Sequence, residues 1–120
     1  MLTHKRLKEA ARTQAYILAL QKEIKLQEET CTNKRKAAKI IAGYKKEISR
    51  LQDQRNKVLQ EITDLDDLRI KAAIIMHYFN KVSWRDIAQK IGMGDSEESI
   101  RKAVRRFLDT QEEKSNEKDL

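Results

Sequence analysis

Proline is absent from the 120 residues, and glycine occurs at Gly43, Gly92 and Gly94 alone. These two residue types interrupt an α-helix most strongly, costing about 3 and about 1 kcal/mol relative to alanine at an interior position. Their scarcity lets helix run through almost the whole chain. Two of the three glycines fall within three residues of each other, so one tight turn is expected there and few elsewhere. Apolar residues make up 39% of the chain and charged residues 38%, a balance that suits long solvated helices with narrow apolar stripes rather than a broad core. An all-α fold is expected, a long helical hairpin or coiled coil followed by a small three-helix unit.

Helical spacing of Leu7, Ala10, Ala11, Ile17, Leu20 and Ile24 marks a first helix over about 4–29. Thr30-Cys31-Thr32-Asn33 then strings together poor helix formers, with Thr32 or Asn33 available to cap a second helix. Either the chain reverses here as a hairpin or one unbroken helix continues to about residue 62. Over 34–62, Ile41, Tyr44, Ile48, Leu51, Arg55, Val58 and Ile62 form a seam with steps of three, four and seven. Arg55 is the polar member: it either fixes register or partner choice, or extends its stem out of a frayed seam. A seam this long must be covered, by the first helix, by a second copy of the chain, or by both. Asp64, Asp66 and Asp67 then gather at a helix start, where the dipole favours carboxylates, and Leu65, Leu68, Ala72, Ile75, Met76 and Phe79 predict a third helix over 65–80.

The next stretch, SWRDIAQKIGMGDSEESIRKAVRRFL from Ser83 to Leu108, organises the remainder. Ser83 and Asp86 form a helix-start signal, and Trp84, Ile87, Ala88 and Ile91 recur at helical spacing over 83–91. Residues 92–95 supply the turn, and Asp95 or Ser96 caps a last helix over 96–109. There Ile100, Val104, Phe107 and Leu108 form the inner edge, and Arg101, Lys102, Arg105 and Arg106 lie outside. This is a helix-turn-helix. Its division from the rest is expected as an arm over 1–62, a helix-turn-helix domain over 63–109, and a disordered tail over 110–120, where Leu120 is the sole apolar residue.

A recognition helix needs long hydrogen-bond donors on the face opposite its core, and Arg101, Lys102, Arg105 and Arg106 meet that need. Ser96, Glu97, Glu98 and Ser99 occupy the first turn, where glutamates can accept from cytosine amino groups but repel phosphate. Lys81 and Arg85 flank the preceding helix as candidate phosphate contacts. Trp84 reads either as a core anchor or as a base-stacker.

At these residues the chain resembles a family. Trp84-Arg85-Asp86-Ile87-Ala88, Gly92, Ser99-Ile100-Arg101-Lys102 and Arg105-Arg106-Phe107-Leu108 resemble the helix pair of sigma factor region four. The order of coiled coil, Asp66-Asp67-Leu68-Arg69, Tyr78-Phe79-Asn80 and Ser83-Trp84 is similar to small sigma-like regulators of Gram-positive phages and prophages. The resemblance covers about residues 60–108. It implies promoter or operator double-stranded DNA read in the major groove, often with contact to RNA polymerase.

Charge agrees with an anionic partner but is unevenly placed. The net charge is +7, yet residues 1–60 carry 15 Lys and Arg against 6 Asp and Glu, whereas residues 61–120 carry 11 against 13. The basic excess thus lies in the arm, where it is either a solvated exterior or a flank for phosphate.

Chemistry of other kinds has little to stand on. His4 and His77 have no partner at metal-ligand spacing, Cys31 has no adjacent base, and Gly92-Met93-Gly94 precedes no Lys-Ser/Thr pair. No enzyme, cofactor or metal is expected. The single cysteine and the absence of an apolar leader or of about 18 consecutive apolar residues point to a cytoplasmic protein without a membrane partner. The expectation is therefore a DNA-binding transcription regulator, a homodimer paired through the seam. A phage small-terminase-like packaging subunit and a protein-binding adaptor acting on RNA polymerase are the alternatives.

Overall fold

The computed structural model describes residues 1–91 and 96–118, with side chains as far as residue 113. The expected turn at 92–95, and Asp95 as a cap, lie outside the described residues. Those described are all-helical: α1 (His4–Thr30), α2 (Lys34–Thr63), α3 (Leu68–Ile74, continued by a π-helical turn Ile75–Phe79), α4 (Trp84–Ile91) and α5 (Glu97–Lys118). Among them no helix is long and apolar enough to cross a membrane.

Each boundary has a local cause. Thr3 starts α1 by accepting from the Arg6 amide at 3.1 Å, and Asn33 starts α2 by accepting from the Lys36 amide at 3.1 Å. Cys31 and Asn33 are both extended, so α1 and α2 are separate helices and the unbroken alternative does not form. The two run antiparallel. Midway along the pair, Ile17 packs with Ile48 and Leu51, and Leu20 and Ile24 pack on them toward the turn. Nearer the open end, Arg55 donates to the Gln14 side chain across the pair. At the open end Glu61 receives the Met1 amino group at 3.0 Å and Arg6 at 2.6 Å.

The seam is consequently filled from within one chain. Ile48, Leu51, Val58 and Ile62 are buried with α1 as their cover, while Ile41 and Tyr44, closer to the turn, are only partly buried. Arg55 takes its partner from the same chain. A second copy is not needed to cover the stripe, and no such copy can use its buried part without opening the pair.

Helix α3 begins three residues later than the acidic cluster suggested. Asp67 alone caps it, accepting from the Arg69 and Ile70 amides at 3.0 and 3.2 Å, while Asp64 ends α2 and accepts from Gln60 at 3.0 Å. Its inner face is made by Ile70, Ala73 and Ile74, and Leu68, at the first position of the helix, is 74% exposed. Leu68 therefore does not belong to the core face expected for it. The π turn adds a residue before the chain leaves the helix, with the Asn80 amide reaching the Ile75 carbonyl at 3.2 Å. Lys81 then takes φ 57°, and the Val82 amide returns to the Met76 carbonyl at 2.9 Å, closing a helix end usually made by glycine.

The principal core joins both ends of the chain. Leu2, Leu7 and Ala10 from the N-terminus and Val58 and Ile62 from α2 are buried together with Ile70, Ala73 and Ile74, Ile87 and Ala88, and Ile100, Val104 and Leu108. Full burial of a Leu or Ile side chain contributes about 1.5–3 kcal/mol, so the open end of the α1–α2 pair is a structural part of the C-terminal unit. Helix α5 continues past Asp109 to Lys118, where a disordered tail was expected. Gln111, Glu112, Glu113 and Lys114 are good helix formers, and no glycine or proline stops them.

Candidate functional site

Helix α5 is built to present a cationic flank. Ser96 caps it, its hydroxyl accepting from the Ser99 amide at 3.1 Å. Ile100, Val104 and Leu108, spaced by four, are sunk in the core. That orientation leaves Arg101, Lys102, Arg105 and Arg106 exposed, as are Ser96, Glu97, Glu98 and Ser99 in the first turn. They form two adjacent stripes, Arg101 with Arg105 nearer the core and Lys102 with Arg106 farther out. Lys102 lies 3.0 Å from Glu98, an exposed pair of little energetic weight that nonetheless offsets its charge. Among the described residues no ion pair involves Arg101, Arg105 or Arg106.

Arg101 and Arg105 border a groove of about 350 Å³. Its opposite wall is aromatic and comes from three elements: His4 from α1, His77 and Tyr78 from the π turn, and Trp84 from α4. His77 stacks on Trp84 with ring centroids 3.9 Å apart, and its Nδ1 lies 3.0 Å from the Val82 carbonyl. Tyr78 meets His77 edge-on at 5.3 Å and shares a 2.6 Å hydrogen bond with His4 Nδ1. Burial raises the Tyr78 hydroxyl above its ordinary 10.0. Asp109 and Glu112 close the far end of the groove, where they would repel an anion lying along all of α5.

The other sequence candidates are dispersed. Lys81 sits exposed in the loop before α4 and Arg85 exposed in its first turn, and neither lines the groove. Ser83 caps α4, accepting from the Asp86 amide at 3.2 Å. Trp84 packs against the core with one face already covered by His77, so it acts as an anchor at the core edge. The aromatic wall was not part of the expected site. His77, Tyr78 and Trp84 are near in sequence, but His4 is 74 positions from Tyr78, and no periodicity links the two. Among the described residues no cluster of three His, Cys, Asp or Glu side chains is arranged to hold a metal ion.

No protein family, curated protein or solved structure matches the chain.

Proposed function

We infer that the chain is a sequence-specific double-stranded DNA-binding protein, a transcription regulator of the phage or prophage type. Helices α4 and α5 act as a helix-turn-helix, the antiparallel α1–α2 pair acts as an arm, and two copies form a dimer. The observation that carries this reading is α5 itself: its apolar edge is held in the core while Arg101, Arg105 and Arg106 reach solvent without carboxylate partners among the described residues. Guanidinium groups so presented suit bidentate contacts to guanine edges. Lys81 and Arg85, on the flanking loop and helix, suit phosphate. The reading involves no catalytic step.

The test is binding of the purified protein to genomic fragments that it selects, with anisotropy titration over a salt series. Arg101→Ala and Arg105→Ala should each weaken the selected site about tenfold and relax base preference there, with helicity unchanged. Lys81→Ala and Arg85→Ala should weaken all sequences alike and reduce the salt slope by about one each. Unaltered affinity in both arginine variants removes α5 from the interface.

One observation favours a second reading. The basic excess of residues 1–60 lies on α1 and α2 rather than on α5, and suits an acidic protein surface such as one on RNA polymerase. An adaptor of that kind predicts no salt-dependent DNA binding at all.

A further inference from the structure

The side of α1 turned away from α2 carries an apolar stripe that is open to solvent from Ala15 to Leu26 and partly covered at Ala11. Leu18 is 53% and Leu26 49% exposed, and Ala15 and Ala19, on either side of Leu18 along the chain, are exposed as well. Ala11 continues the stripe toward the N-terminus, and Lys8 and Glu29 stand at its two ends. At 100° per residue these positions share one face about 100° wide. Around Leu18 and Ala19 the surface is slightly dished, with Lys22 and Lys25 at its rim.

We propose that this face is the dimer interface, and that its occupant is α1 of a second copy running antiparallel about a two-fold axis between Leu18 and Ala19. The order of residues is complementary to itself in that direction alone. Leu18 meets Ala19 of the second copy, Leu26 meets Ala11, the Lys22 stem covers Ala15, and Lys8 faces Glu29. Large side chains thus oppose small ones, and opposite charges meet at both ends. A parallel pairing would instead set Lys8 on Lys8 and Lys22 on Lys22. The face differs from the α2 seam, whose buried part is occupied within each chain.

The pairing has a geometric consequence, which rests on the DNA reading. At about 1.5 Å per residue Leu7, in the principal core, stands about 17 Å along α1 from the axis, so the two cores lie about 35 Å apart along the helices. Major-groove half-sites one turn apart are separated by about 34–36 Å. An inverted repeat with half-site centres about 10 base pairs apart is the site expected.

Sedimentation equilibrium of the full chain without DNA, from about 5 to about 500 μM, tests the interface independently of that reading. The chain should pass from monomer to dimer, and Leu18→Glu should abolish the dimer with an unchanged circular dichroism spectrum. Lys8→Glu and Glu29→Lys should each raise the dissociation constant about tenfold, since each alters two symmetric pairs, and the double exchange should restore it. A monomer throughout the range, or a double exchange no tighter than either single one, overturns the proposal. A dimer of this kind that binds no DNA leaves the interface standing and removes the DNA reading.

Discussion

Leu7→Ala tests whether the arm and the C-terminal unit are energetically one body. Leu7 lies on α1, is 0% exposed, and shares its core with Ile100 and Val104 of α5. Truncation removes buried methyl and methylene groups and leaves a cavity that the neighbouring helices fill incompletely, for a loss of about 3 kcal/mol. With a urea slope of about 1.5 kcal/mol/M, the midpoint should fall by about 2 M. The protein carries its own pair of probes. Far-ultraviolet dichroism reports all the helices, whereas Trp84, the single tryptophan, reports the C-terminal core from α4. Both signals should move together in Leu7→Ala and remain coincident, with an unchanged slope. If the dichroism midpoint shifts while Trp84 fluorescence keeps its wild-type midpoint, the shared core is not a cooperative unit and the reasoning fails.

Lys81 occupies a left-handed conformation that favours glycine, so Lys81→Gly should raise stability by about 0.5–1 kcal/mol in urea titration. The same change should weaken DNA binding if Lys81 holds a phosphate; equal or lower stability would show that the helix end is not strained. Burial pushes the Glu61 carboxyl up, but the Met1 amino group and Arg6 outweigh it and hold it below the ordinary 4.5. Its contribution is therefore present above that value and lost as pH falls through the lower, folded one. Glu61→Gln should flatten the acid decline of the urea midpoint between about pH 5 and about pH 3, and parallel declines would refute the pairing. Asn33→Ala removes the α2 cap and should cost about 1 kcal/mol, whereas Thr32→Ala should cost nothing measurable, because Asn33 alone is bonded to the Lys36 amide.

Much of this molecule is legible in local order along the chain. Scarce breakers imply helices, the Thr32-Asn33 pair and Ser83 mark two starts, and the four-residue spacing of Ile100, Val104 and Leu108 identifies the inner edge of α5 and hence its cationic outside. Such properties depend on neighbours within about one helical turn, which is why periodicity and capping chemistry reveal them. The start of α3 was less legible, because three aspartates compete for one cap and spacing cannot tell which amides each will reach. Position in three dimensions was decided elsewhere. The seam of α2 could be covered from within or from without, and only the reversal at Cys31–Asn33 brings α1 across it. Only the shared core brings His4 to Tyr78 beside Arg101 and Arg105, and only the direction in which α1 faces α2 leaves Leu18 and Leu26 in solvent. An apolar stripe carries no label for its partner: the hydrophobic effect rewards any cover, so the choice among covers rests with the packing of the whole chain.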